Sequence, residues 1–243
     1  MAESDETRSA RTLWQWPDRA RFGRVVPKAR FYEYGHVSAR VREQFVSQVA
    51  QVTWAYKLAS STVGLAATET VTEIEVLEVA LKPDVEDVAG DVLTAINRAI
   101  PAPLLVEVTR AFATATANPA ETVRLAAAPT KDRAATFVST PWMPTAADRT
   151  PLPPALDLSG LHAALLTPLL PYAVRPGESL TESAARATEV RRLEREVAVL
   201  ERRIRNEGQF NRRAEINRTL RSRVAALAAL ASTPTAEEPQ WRS

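Results

Sequence analysis

The chain contains no cysteine. Disulfide frameworks, thiolate metal sites and cysteine nucleophiles are therefore excluded, and a reducing compartment is compatible with the sequence. Glycine is scarce, with 7 in 243 residues, and no G-x-x-x-x-G-K-[ST], G-x-G-x-x-G or G-x-S-x-G is present. Those loops need glycine to bring backbone N–H groups onto phosphate or to expose a nucleophilic serine. ATP hydrolysis, dinucleotide binding and serine-hydrolase chemistry are accordingly disfavoured. Histidine occurs twice, at His36 and His162, and neither belongs to a metal-ligand spacing, so structural roles are expected for both. No cofactor and no metal is implied. No apolar run approaches the roughly 20 residues that span a bilayer. Met1 to Arg11 lacks the basic-then-apolar pattern of a secretory leader, so a cytoplasmic protein with no membrane partner is expected.

What is present is an ordinary globular balance, 45% apolar and 25% charged, in a length that suits one domain with an appendage or two small ones. Aromatics are only 6%, so the core must be built from Val, Leu, Ile and Ala. The net charge of +2 is unevenly placed. Residues 190–223 hold eleven Arg against five Glu, which is +6, leaving −4 for the rest. Locality of this kind matters for an acidic or polyanionic partner.

Residues 1–30 read as an N-terminal arm, with Trp14 and Trp16 either anchoring it to the domain or meeting a partner. Residues 31–172 read as an α+β domain. Ser38 opens a helical stripe of Val41, Phe45, Val49 and Val52, followed by the alternating Trp54, Tyr56 and Leu58 of a strand. Thr72 to Lys82 is a second strand. Pro83-Asp84 ends it and caps a helix with the stripe Val85, Val88, Val92, Ile96 and Ala99. Leu104–Val108, Thr122–Ala127 and Ala134–Thr140 are further strands. The order α, β, β, α, β, β, β does not alternate strictly, which predicts a small mixed sheet with packed helices. Five prolines make Pro141 to Pro154 an extended connection, and Leu158 to Leu170 a short helix.

From Leu180 to Ala231 there is no proline and one glycine, Gly208. Residues 178–231 therefore read as a helical, coiled-coil-like segment, and residues 232–243 as a disordered tail. Val190, Leu193, Val197, Leu200 and Ile204 are spaced 3, 4, 3, 4, the seam of a coiled coil. It resumes after Gly208 with Leu220, Val224, Leu227 and Ala231. Either one long rod or a helical hairpin turning at Asn206-Glu207-Gly208 fits, and glycine just past a helix end favours the hairpin. Asn211 and Asn217 either lie near the seam and set register or face solvent. Arg202, Arg203, Arg205, Arg212, Arg213, Arg218, Arg221 and Arg223 form either a solvated face paired with Glu194, Glu196, Glu201 and Glu215, or a phosphate-backbone contact. One further chemistry is open. Glu73, Glu75, Glu78 and Lys82 share a strand, and Lys131 and Asp132 a turn, so a metal-dependent nuclease built on strand carboxylates is an alternative. The usual carboxylate-x-lysine step is missing, and an acidic exposed strand explains the glutamates more simply.

The chain resembles a bacterial family, domain-of-unknown-function family 4391. The residues that carry this are Val26-Pro27-Lys28 with Phe31-Tyr32, Val52 to Leu58, Ile74 to Lys82, Ala95 to Pro101, Trp142, and Gln209-Phe210-Asn211-Arg212 to Glu215-Ile216-Asn217. The resemblance spans about residues 24–231. It implies a small α+β domain with a helical C-terminus, encoded beside DNA methyltransferases and helicases of restriction-like phage-defence islands, and it assigns no catalytic residue. Three functions are therefore expected to compete. One is a non-catalytic adaptor subunit whose basic helices touch another subunit, such as that methyltransferase or helicase, or the DNA backbone. The others are the nuclease and a structural homo-oligomer.

Overall fold

The computed structural model describes residues 12–112, 120–130, 137–170, 172, 174–175 and 177–231. Lys131, Asp132 and the 232–243 tail lie outside the described residues. The chain divides into two units, Met1–Leu170 and Pro171–Ser243.

Among the described residues of the first unit, strands and α-helices follow in the order β1 (Trp14–Gln15), β2 (Arg21–Val25), α1 (Lys28–Tyr34), α2 (Ala39–Gln48), β3 (Val49–Ala59), α3 (Ser60–Val63), β4 (Glu73–Leu81), α4 (Gly90–Ala99), β5 (Leu104–Phe112), β6 (Ala120–Ala127), β7 (Val138–Ser139), β8 (Met143–Pro144), β9 (Thr150–Pro151) and α5 (Leu158–Leu166). The main sheet runs β2-β3-β4-β5-β6-β7, with β8 also on β6. Among the described residues its only parallel pair is β4 with β5, the two strands joined through α4. A helix between two strands is what a parallel pairing requires. The fold is α+β, a mixed sheet with packed helices, as expected.

Alternation along β4 and β5 sends Leu77, Val79, Val106 and Val108 to one face, where they pack with Phe31, Phe45, Val92 and Ile96 of the helices. Each such buried side chain contributes about 1.5–3 kcal/mol. Ile74, Val76 and Leu105 alternate to the other face, and the buried leucines Leu158, Leu161 and Leu165 belong to α5, which packs on β4. Asp157 caps α5 by accepting the Gly160 N–H at 2.7 Å. At the end of α1, Gly35 is placed so that a Cβ would meet the Phe31 carbonyl oxygen at 2.5 Å and the Ala95 carbonyl oxygen at 2.8 Å. Only glycine lets α1 and α4 approach so closely.

Three elements depart from the local pattern. Helix α2 stops at Gln48, so Val49 and Val52 continue the apolar stripe from a strand instead of a helix. Their pairing with Leu81 and Val79 of β4 outweighs a helical period that continues for only one more turn. Asp84 does not cap a helix: its backbone is left-handed, at φ 65°, and α4 begins at Gly90. Residues 85–89 are held out of the helix by the Gln48 side chain, which accepts the Ala89 N–H at 2.8 Å, and by the Asp87–Arg124 ion pair at 2.7 Å. Residues 12–25 do not hang free. β1 pairs parallel with β9, β2 forms the sheet edge on β3, and Leu13, Trp14 and Trp16 are buried.

The second unit is a helical hairpin of α6 (Leu180–Asn206) and α7 (Phe210–Ala231). Ser179 and Glu182 form a reciprocal capping box at the start of α6. The chain reverses at Glu207-Gly208-Gln209 rather than continuing as a rod. Arg223 of α7 pairs with Glu196 of α6 at 3.0 Å, and Arg186 reaches the Leu230 carbonyl at 3.4 Å, which fixes an antiparallel register. Among the described residues no helix is long and apolar enough to cross a membrane.

Candidate functional site

The hairpin seam is covered unevenly. Val190 and Leu193 are buried, Val197, Leu200, Ile204, Leu220 and Leu227 are half-buried, and Val224 is 45% exposed, as is Val199 at 48%. Two helices alone cannot enclose an apolar stripe that a third surface would normally close. Asn211 and Asn217 are exposed and so do not set register inside the seam.

The arginines gather where the chain reverses. Arg202, Arg203 and Arg205 occupy the last turns of α6, Arg212 and Arg213 the first turn of α7, and Arg218 and Arg221 the next turns. All seven are exposed, and none makes an ion pair with a described carboxylate. The glutamates that would have paired them are engaged elsewhere or stand alone. Glu196 holds Arg192 and Arg223, Glu194 accepts the Tyr172 hydroxyl at 3.2 Å, and Glu201 and Glu215 are exposed without an arginine. A groove of about 530 Å³ at this end is lined by Val199, Arg202, Arg203, Asn206, Glu207 and Ile216. Two placements differ electrostatically. Cations in the last turns of α6 suit the negative end of its dipole. Arg212 and Arg213 sit against the positive end of α7, whose first turn holds no acid. The second placement costs stability and strengthens the local positive field.

The strand acids separate onto two faces. Glu73 and Glu75 lie on the face of Trp54 and Lys57, and Glu78 lies on the other. Lys57 Nζ bridges Glu73 at 2.6 Å and Glu75 at 3.6 Å, and Trp54 Nε1 donates to Glu75 Oε2 at 2.5 Å. Glu75 is fully buried. Burial pushes its carboxyl up to about 7, against the pull of the Trp54 N–H and the Lys57 charge, while neighbouring Glu73 raises it further. Lys57 is itself raised, first by its bond to Glu73. Lys82 stands past the end of β4, donating its backbone N–H to the Gln48 carbonyl, and forms no ion pair with Glu78. Among the described residues no three of His, Cys, Asp and Glu converge as metal ligands would. Lys57 and the Trp54 N–H thus both face the buried Glu75 carboxyl. His36 is exposed in left-handed backbone after α1, and His162 is half-buried on α5.

One polar centre was not anticipated. Glu107, the single acid in Leu104 to Val108, is 3% exposed. It accepts Trp16 Nε1 at 2.6 Å and both guanidinium nitrogens of Arg149 at 2.7 and 2.9 Å. Glu78 lies opposite it across the β4–β5 pair, and desolvation first, then the Glu107 charge, raises the Glu78 carboxyl. The available signal was a charged residue within an otherwise apolar strand core. Its partners, 91 and 42 residues away, carry no local mark.

Among protein-family models, the one described as Domain of unknown function (DUF4391) matches residues 15–227. No curated protein and no solved structure matches the chain.

Proposed function

The chain belongs to the domain-of-unknown-function family 4391, and within it we propose a non-catalytic adaptor that grips a nucleic-acid backbone with the turn end of its C-terminal hairpin. The observation that supports this reading is the set of seven exposed arginines without carboxylate partners. Arg212 and Arg213 among them are kept at a helix N-terminus, where the dipole opposes them. Arginine forks fit phosphate bidentately, and each phosphate neutralised releases counterions, so binding weakens steeply with salt. A DNA-targeting assembly of the restriction-modification and phage-defence kind, with a methyltransferase or helicase as protein partner, is the setting this reading suits. The test is a mobility shift of duplex DNA by the purified chain at several salt concentrations. Retention that falls with salt, and is abolished when Arg202, Arg203, Arg212 and Arg213 are changed to Glu, supports the reading. Absence of any shift at low salt rejects it.

A second reading, a homo-oligomer closed over the hairpin, is favoured by the exposure of Val199 and Val224. Light scattering on the full chain decides it. A multimer that the Val199→Glu, Val224→Glu pair reduces to the monomer mass supports it, and a monomer in both forms rejects it.

A further inference from the structure

The first unit carries a cleft, unrelated to the hairpin, whose walls share one chemistry. It has a volume of about 410 Å³, within the roughly 300–1,000 Å³ range of small-ligand sites. Strand β2 contributes Phe22 and Arg24, α1 contributes Arg30 and Tyr34, β3 contributes Trp54, and the end of α4 contributes Ile100. Phe22 and Tyr34 are large aromatic side chains left 41% and 53% exposed at its rim. Leaving such surface in water costs free energy that a ligand would recover.

The rings and guanidinium groups are clustered. Phe22 stands edge-on to Trp54 at 5.6 Å between centroids. Arg24 lies over the Phe22 ring at 4.9 Å and Arg30 over Tyr34 at 6.0 Å. Both guanidinium groups therefore already sit beside an aromatic face, and both side chains are exposed, with Arg30 Nη1 also donating to the Tyr34 hydroxyl at 3.4 Å. Arg24 has no carboxylate partner among the described residues, and Arg30 has only a loose one, Glu33 at 3.9 Å with both side chains exposed. No Asp or Glu lines the cleft. Glu33 stands beside the cleft through Arg30, and Glu75 is buried and accepts the Trp54 Nε1–H. The left-handed Gly23, at φ 64°, sits in the register shift of β2 between Arg21 and Arg24 and bends this edge strand at the cleft's rim.

Exposed aromatic rings beside two cations, one unpaired and one only loosely paired with Glu33, are complementary to a planar ring that carries a negative group. We infer that this cleft binds a nucleotide unit, its base stacked on the exposed Phe22 ring and its phosphate held by Arg24 and Arg30. Stacking of a base on an aromatic side chain is tolerant of base identity, so the preference is for nucleotide chemistry and not for sequence. The unit comes either from a single strand or from a free nucleotide. The hairpin reading is not needed for this inference, since every residue involved lies between Phe22 and Ile100.

The experiment is a titration of the full-length chain with a fluorescently labelled oligothymidylate at low salt, with thymidine monophosphate as competitor. Phe22→Ala and Arg24→Glu alter exposed side chains and leave the core intact. Circular dichroism of each variant, matching the parent, confirms the fold. Each substitution is expected to weaken oligothymidylate binding about tenfold or more. Arg212→Glu with Arg213→Glu should leave the Phe22 dependence in place. Competition by the monophosphate at comparable concentration assigns the site to free nucleotides, and its failure assigns it to strands. Absence of binding, or affinities unchanged by both Phe22→Ala and Arg24→Glu, overturns the inference whatever the hairpin does.

Discussion

Arg149 closes on Glu107 with both ends of its guanidinium group, at 2.7 and 2.9 Å, and its Nη1 also holds the Trp14 carbonyl at 2.9 Å. One side chain thereby pins the proline-rich connection and the N-terminal strand to the middle of the sheet. Trp16 supplies the third bond to the same carboxylate. Substituting Arg149 by Met leaves a buried carboxylate with a single donor, and breaking such a pair costs on the order of 3 kcal/mol. Urea unfolding should show that loss. Adding Glu107→Gln to Arg149→Met should recover part of it, because the unpaired charge is gone. Unchanged stability in Arg149→Met would falsify the pin.

Gly35 and Gly90 form a matched contrast. A Cβ at Gly35 collides with two backbone carbonyl oxygens, whereas one at Gly90 meets nothing within 4 Å. Gly35→Ala should destabilise the domain by about 1–3 kcal/mol through forced separation of α1 and α4. Gly90→Ala, in the first turn of α4, should be neutral or stabilise by up to about 1 kcal/mol. Thermal melts of the two variants measure the difference, and equal melting temperatures would contradict the close approach.

Glu75 makes stability depend on pH in a stated direction. Its folded carboxyl titrates at about 7 and its unfolded one at the ordinary value of 4.5. Between those values the folded state binds more protons, so stability declines as pH rises from about 4.5 through 7. Glu75→Gln keeps the shape without the charge. Its melting temperature should match the parent near pH 5 and exceed it increasingly toward pH 8. A constant difference across that range would contradict the burial argument.

Charge reversal at the start of α7 separates binding from folding. Arg212→Glu and Arg213→Glu place acids where the helix dipole favours them, worth about 0.3–1 kcal/mol each. The doubly reversed hairpin should therefore melt at the same temperature or higher while losing retention of duplex DNA. A variant that loses binding because it unfolds would contradict this, and far-ultraviolet circular dichroism on heating shows which occurs.

Much of this architecture was legible in the amino-acid order. The proline-free run from Leu180 with its 3, 4 spacing implied long helix, and Gly208 favoured a hairpin over a single rod, because helix period and termination are local properties. The same holds for β4 as a strand and for the short helix from Leu158, but the acidic face expected to be exposed on β4 is buried at Glu75. The arginine cluster was visible as composition. Its lack of carboxylate partners was not, since Glu201 and Glu215 lie within helical reach of Arg205, Arg212 and Arg218 along the sequence and yet make no ion pair with them.

Local sequence, then, determined where the helices of the hairpin run and that the first unit is a mixed α+β sheet. Tertiary structure alone decided that Val49 and Val52 belong to a strand, that the segment around Trp14 and Trp16 is buried, and that Lys57 meets Glu73 and Glu75. It also assembled the Phe22–Trp54 cleft. In each case the deciding energy comes from groups many residues apart. A strand ladder, a buried ion pair or a ring contact has no value until the chain has closed the loop between its members, so no window of sequence contains it.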